Sequence, residues 1–268
     1  MSKLTRRAAL RLGAGAAAAA AGALTGSPSA SAEPTMVGGT FTSAARGGLP
    51  TNWAIARPPG QTRPLRPVIA LHGKGGSAAS VMAGGVETGL ARAVGAGLPP
   101  FAVVAVDGGG SYWHRRASGE DTGAMVLDEL IPMLGGQGLD ISRVGFLGWS
   151  MGGYGALLLG ARLGPARTAA ICAVSPALWL APSAAAPGAF DGPDDFAANT
   201  VFGLPALGSI PLRIDCGDSD PFAAATREFI TGLPTAPAGG FSPGGHDASY
   251  WSSQLPAEIG WLAPLMRA

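Results

Sequence analysis

Eight short apolar segments, bounded by glycine and proline, alternate with longer segments whose apolar residues recur at helical spacing. That pattern predicts an α/β fold, a mostly parallel eight-stranded sheet with helices on both faces. Pro67-Val-Ile-Ala-Leu71 and Phe101-Ala-Val-Val-Ala-Val106 are continuously apolar, as strands covered on both sides must be. Arg143-Val-Gly-Phe-Leu-Gly148 is a third such run, and it passes through a glycine-flanked serine directly into a helical pattern.

In chain order, the apolar runs place strands at about 37–42 and 52–57, then at 67–71. A helical spacing follows near 86–97, a strand at 101–106 and a helix near 121–134. The strand 143–148 leads into a helix at 151–163, and a strand follows at 169–174. Residues 176–209 hold several Pro, Ala and Asp and no long periodic run, so they form an excursion between strands, either a lid or a surface loop with a short helix. The last elements are a strand at 211–216, a helix near 221–232, a strand at 237–241 and a helix near 249–266. No internal repeat or linker divides this part, so residues 33–268 are expected to form one catalytic domain.

The first 32 residues read differently. Lys3, Arg6 and Arg7 precede an Ala-rich stretch to Leu24, and Ala30-Ser31-Ala32 supplies a small-residue cleavage site. The Arg6-Arg7 pair resembles a twin-arginine export signal, and an Ala/Gly-rich core suits that route better than a membrane anchor, the alternative. No Cys lies near the cleavage point to carry a lipid, so the expected location is extracytoplasmic, released or wall-associated, with no stable membrane insertion. Removing residues 1–32 takes away Lys3, Arg6, Arg7 and Arg11 and no acid, leaving 14 basic and 17 acidic side chains, a net charge of −3. That balance argues against nucleic acid and anionic lipid as partners. An oxidising location would permit a Cys172–Cys216 disulfide, with two buried free thiols as the alternative. Neither Cys has a His or Cys at metal-ligand spacing, so no metal site is assigned.

Gly148-Trp-Ser-Met-Gly152 matches Gly-x-Ser-x-Gly, a weak signal by itself in a chain with 43 glycines. Its setting between an apolar strand and a helix is specific, because a sharp turn there lifts the Ser150 hydroxyl above the sheet edge. A serine hydroxyl needs a base, and the chain has three histidines. His246, in Gly244-Gly-His-Asp-Ala-Ser-Tyr-Trp251, lies between the expected last strand and last helix, where a serine, acid, histidine order puts the base. His72, ahead of Gly73, is expected to shape the loop facing the serine. His114 is expected in a surface loop, with pocket lining as the alternative. For the acid, Asp220 stands clear of the strand end and is preferred over Asp218, while Asp215 would still be in the strand. Trp113, Trp149, Trp179 and Trp251 are candidates for an apolar acyl pocket, with core packing expected of Trp149 and Trp251.

Taken together, Gly148-Trp-Ser-Met-Gly-Gly-Tyr-Gly-Ala-Leu157, Leu71-His-Gly-Lys-Gly-Gly76, Asp128-Glu-Leu-Ile-Pro132, Ile214-Asp-Cys-Gly-Asp-Ser-Asp-Pro-Phe222 and the His246 segment resemble the esterase D family of α/β-hydrolases. That family includes carboxylesterases, S-formylglutathione hydrolases and related mycolyltransferases. The resemblance spans most of residues 33–268. It implies an α/β-hydrolase fold, a Ser150, Asp220, His246 triad, and an oxyanion hole made by the backbone N–H groups of Met151 and Lys74. The expected activity is that of an exported serine carboxylesterase without a cofactor, acting on a small-molecule or lipid acyl ester. An acyltransferase with the same triad, a peptidase and a non-catalytic binding protein are the alternatives. Export argues against a formylglutathione substrate, since that thiol is cytosolic.

Overall fold

The computed structural model describes residues 35–268; the expected export segment lies outside the described residues. Eight strands form one sheet in the order β1-β2-β4-β3-β5-β6-β7-β8. They are β1 (Met36–Ser43), β2 (Leu49–Ala56), β3 (Pro67–Leu71), β4 (Ala102–Val106), β5 (Val144–Trp149), β6 (Thr168–Val174), β7 (Leu212–Gly217) and β8 (Ala238–Ser242). β1–β2 and β2–β4 pair antiparallel and every later pair is parallel. This is the α/β-hydrolase sheet, and the strand expectations fall within a few residues of it.

Strand periodicity divides the interior in two. Ile69, Leu71, Val104, Phe146, Ile171 and Ile214 point to one face. There they meet α5 (Met151–Leu163), α7 (Ala223–Thr231) and a continuous helical segment made of α3 (Thr122–Ala124), a π-helical stretch (Met125–Leu130) and α4 (Ile131–Gly136). Val68, Ala70, Val103, Leu147, Ala170 and Cys172 point to the other face, under α1 (Ala78–Ala83), α2 (Val86–Gly95) and α8 (Ala248–Leu265). α1 is the helix the apolar pattern does not announce. It has only six residues and is started by a capping box between Ser77 and Ser80. No helix among the described residues is long and apolar enough to cross a membrane.

Residues 176–209 contain α6 (Pro193–Asn199) and two 3-10 turns, and the segment is anchored. Arg116 grips Asp191 through Nε and Nη2 at 3.1 and 2.7 Å, and the Ala117 N–H donates to the same carboxylate. Those bonds, the guanidinium foremost, pull the Asp191 carboxyl down to about 2. Phe190 packs on His114 and Tyr154. The loop histidine is therefore a correction: His114 is fully buried, with its ring nitrogens 3.0 and 3.1 Å from the carbonyls of Arg115 and Ala189.

Cys172 and Cys216 are both free. Cys172 pairs in register with Arg213, three residues before Cys216, and side chains three apart on a strand face opposite ways. The two thiols therefore lie on opposite faces of the sheet, which excludes a bridge.

Candidate active site

Ser150 is the residue between β5 and α5, with φ 56° and ψ −118°. That conformation is strained for a residue with a side chain, and the surroundings enforce it. A Cβ on Gly148 would sit 2.1 Å from the Gly152 carbonyl oxygen, and one on Gly152 would sit 1.9 Å from that of Leu71. Only hydrogen at both positions lets β5 turn into α5 against β3. The turn is tied down by Ser150 N–H donating to Val174 and by Ser150 O accepting from Tyr154 and Ala177.

His246 follows β8, and its Nε2 lies 2.8 Å from Ser150 Oγ. Its Nδ1 lies 2.8 Å from Asp220 Oδ2 on the loop after β7. The ring is clasped between Phe222 and Trp251, at 5.1 and 5.2 Å between centroids. The Asp220 side chain is fully enclosed, and its other oxygen accepts from the Phe222 N–H at 2.8 Å. Burial works to raise this carboxyl, but the hydrogen bonds from His246 and Phe222 outweigh it and hold it below the ordinary range. Asp218 points outward, half exposed, to Arg227 at 3.2 Å. Asp215 lies within β7 and binds Arg213 at 2.6 and 3.0 Å. Of the three aspartates, then, Asp220 alone reaches the imidazole.

His72 is structural in its contacts. Its Nδ1 lies 2.7 Å from Gly73 O, and its Nε2 accepts the Gly108 N–H at 2.9 Å, which fixes the tautomer. Burial lowers its proton affinity, so it stays neutral. It shapes the loop that carries Gly73 and Lys74 to the serine: a Cβ on Gly73 would stand 3.5 Å from Ser150 Cβ. Met151 is the first residue of α5, so its N–H belongs to the group of helix-start donors that have no partner within the helix.

A cavity of about 520 Å³ opens on Ser150. Val81, Val86, Trp149, Trp251 and Leu255 give it apolar walls, and Lys74 and Tyr112 also line it. The core packing expected of Trp149 and Trp251 is met, since both lie against the core under α1, α2 and α8, but it is not all they touch. Trp149 and Trp251 line the cavity, whereas Trp113 is fully buried and Trp179 packs on Tyr112 and Phe222 outside it. Nothing in the sequence distinguishes Tyr112, Val81 and Leu255 from core residues.

Among the described residues one buried cluster has metal-ligand atom types: Cys172, Asp215 and Glu258, with ligand atoms within 4.8 Å of one another. It does not fit a metal. Both Asp215 oxygens already accept, at 2.6 and 3.0 Å, from Arg213, whose guanidinium supplies the positive charge a cation would bring.

The sheet order and the serine turn define the architecture as that of an α/β-hydrolase. No protein-family model matches the chain, and no curated protein matches it. Solved structures do. A ferulic acid esterase superposes with a TM-score of 0.73 at 20% identity, covering 86% of this chain and 98% of its own. An S-formylglutathione hydrolase from Agrobacterium tumefaciens gives 0.71 at 21%, covering 86% and 95%. FphF, a fluorophosphonate-binding serine hydrolase of Staphylococcus aureus, gives 0.65 at 19%, covering 85% and 98%. The resemblance to the esterase D type of α/β-hydrolase is thus met at the level of the fold.

Proposed function

We propose that this chain is an exported serine carboxylesterase in which Ser150 is the nucleophile, His246 the general base and Asp220 the orienting acid. The observation that carries the reading is the unbroken path Ser150 Oγ, His246 Nε2, His246 Nδ1, Asp220 Oδ2, with both contacts at 2.8 Å, at the mouth of an apolar cavity.

Ser150 Oγ attacks the ester carbonyl as its proton passes to His246 Nε2, and the carbonyl oxygen takes the negative charge. The N–H groups of Met151 and Lys74 stabilise that oxygen, and loss of one such donor costs roughly 3 kcal/mol in other serine hydrolases. The intermediate collapses when His246 returns the proton to the departing alcohol, leaving an acyl-serine. Water, deprotonated by the same nitrogen, attacks the acyl carbon, and the proton goes back to Ser150 as the carboxylic acid leaves. Asp220 holds the imidazole with its Nδ1–H toward the acid and stabilises the imidazolium. No cofactor enters this cycle.

The test is release of p-nitrophenol from short and medium acyl esters. Ser150→Ala is expected to lower kcat by at least about 10⁴-fold, and Asp220→Asn by a comparable factor, while Asp218→Asn retains activity. Equal turnover by wild type and Ser150→Ala would sink the reading. Capture of the acyl group by an added alcohol would make the chain a transferase with the same triad.

Export rests on the charged, Ala-rich and small-residue segments of residues 1–32. Mass measurement of the extracytoplasmic protein is expected to find Glu33 as its first residue. A product that keeps Arg6 and Arg7 would point to an anchor instead.

A further inference from the structure

The cavity beside Ser150 is electrically lopsided. Val81, Val86, Trp251 and Leu255 from α1, α2 and α8 line it, and no carboxylate does. The one lining side chain with a permanent charge is Lys74, since His72 is held neutral by burial and His246 is committed to Ser150 and Asp220. Among the described residues no acid pairs with Lys74. Its Nζ reaches only the Pro187 carbonyl, at 3.3 Å, and lies 5.8 Å from the centre of the Tyr112 ring.

Tyr112 is held in place by an unusual backbone. Tyr112 and Trp113 are consecutive non-glycine residues with φ of 58° and 60°, a region side chains rarely adopt and one that marks over-determined, functional positions. Trp113 fixes the pair: it is fully buried, 5.0 Å from the His72 ring, and packed so closely on Gly108 and Gly155 that a Cβ on either would overlap its ring. The tyrosine is thereby turned onto the cavity beside Lys74. Unlike Tyr154, whose hydroxyl donates to Asn199 O, Tyr112 gives its hydroxyl to no described residue. Burial raises its proton affinity, so it remains an O–H donor.

We infer that Lys74 Nζ and the Tyr112 hydroxyl form an anion-recognising end of the cavity, and that the preferred substrates are amphipathic esters. Such an ester lays an apolar part against Trp149, Trp251 and Leu255 and presents a carboxylate or phosphate to Lys74. The inference rests on the esterase reading and narrows its substrate class. Lys74 carries the backbone N–H assigned to the oxyanion, so its ammonium stands within one side-chain length of the reacting carbonyl. Lys74 is exposed, so its pull on an anion is screened by salt, while the apolar lining of the same cavity takes the rest of the ester.

The experiment compares kcat/KM for matched neutral and anionic esters. p-Nitrophenyl butyrate against the p-nitrophenyl half-ester of glutaric acid puts the anion in the acyl half. Phenyl butyrate against 4-butyryloxybenzoate puts it in the alcohol half. In at least one pair, Lys74→Met is expected to lower the anionic-to-neutral ratio about 10-fold, and Lys74→Arg to keep it within about 3-fold of wild type. Tyr112→Phe is expected to lower it about 3-fold. The wild-type ratio should fall as salt rises from about 20 to about 500 mM, and the Lys74→Met ratio should not. The arm that responds identifies the half of the ester that bears the charge. Equal losses on both members of each pair, or ratios insensitive to salt, would overturn the inference and leave Lys74 acting through its backbone alone. Turnover that survives Ser150→Ala would instead overturn the esterase reading, so the two failures are distinguishable.

Discussion

Glu258 is the residue in this chain whose position is hardest to reconcile with its chemistry. It lies on α8, fully enclosed, and neither carboxyl oxygen has a hydrogen-bond partner among the described residues. Desolvation, reinforced by the Asp215 charge and only partly offset by Arg213, pushes its carboxyl well above the ordinary range. The folded state therefore binds a proton that the unfolded chain releases once pH exceeds the ordinary glutamate value. Stability from this site is fully present below that value and declines as pH rises toward the folded one. Glu258→Met fills the same space without polar atoms and leaves the Asp215–Arg213 pair intact. Removing the unpartnered carboxyl is expected to stabilise the fold by about 1–3 kcal/mol. In thermal unfolding that is a rise of about 2–4 °C per kcal/mol, larger at pH 8.5 than at pH 5. A lower Tm at pH 8.5 would show that the carboxylate is satisfied in a way its contacts do not reveal.

At the scale of elements, legibility followed local physics. The strands β3 to β6 are almost entirely apolar runs, and β7 interrupts its apolar residues only with the Arg213–Asp215 pair, so their places are legible to within a residue or two. The Ser150 turn could be read because glycine is sterically required at 148 and 152, where added Cβ atoms would run into backbone. Asp220 stands farther past the strand end than Asp218, and the loop after β7 brings it to His246 while Asp218 meets Arg227. What escaped depended on contacts remote in sequence. α1 is too short for periodicity to detect, although Ser77 and Ser80 signal its start. His114 is polar and sits in a loop, yet the anchored excursion covers it through Ala189 and Phe190, 75 and 76 residues downstream. Trp149 and Trp251 look like core residues because indoles usually are, and they also become cavity walls because the fold brings the end of β5 and the start of α8 to one cavity. The Lys74–Tyr112 juxtaposition needs two separate βα loops and a strained backbone, and no spacing rule encodes it.

At the scale of the whole molecule, the sheet acts as a partition, and the cysteines report on it. Cys172 belongs to the core under α1, α2 and α8, while Cys216 points to the opposite face. Burial pushes the Cys216 thiol up to about 12 and that of Cys172 well above its ordinary value, so neither is a ready thiolate. The export proposed for this chain would ordinarily invite a disulfide between its two cysteines. A bridge across this loop would contribute roughly 4 kcal/mol, and its reduction would cost several degrees of Tm. Here the sheet forbids it, and stability rests on the two apolar cores. The Tm of protein recovered from an oxidising compartment is therefore expected to stay within about 1 °C when a reductant is added. Native protein should leave a thiol reagent unconsumed over hours, and denatured protein should consume two equivalents. A reductant-dependent Tm, or fewer than two thiols after denaturation, would mean that the chain is cross-linked in a way that the strand register cannot accommodate.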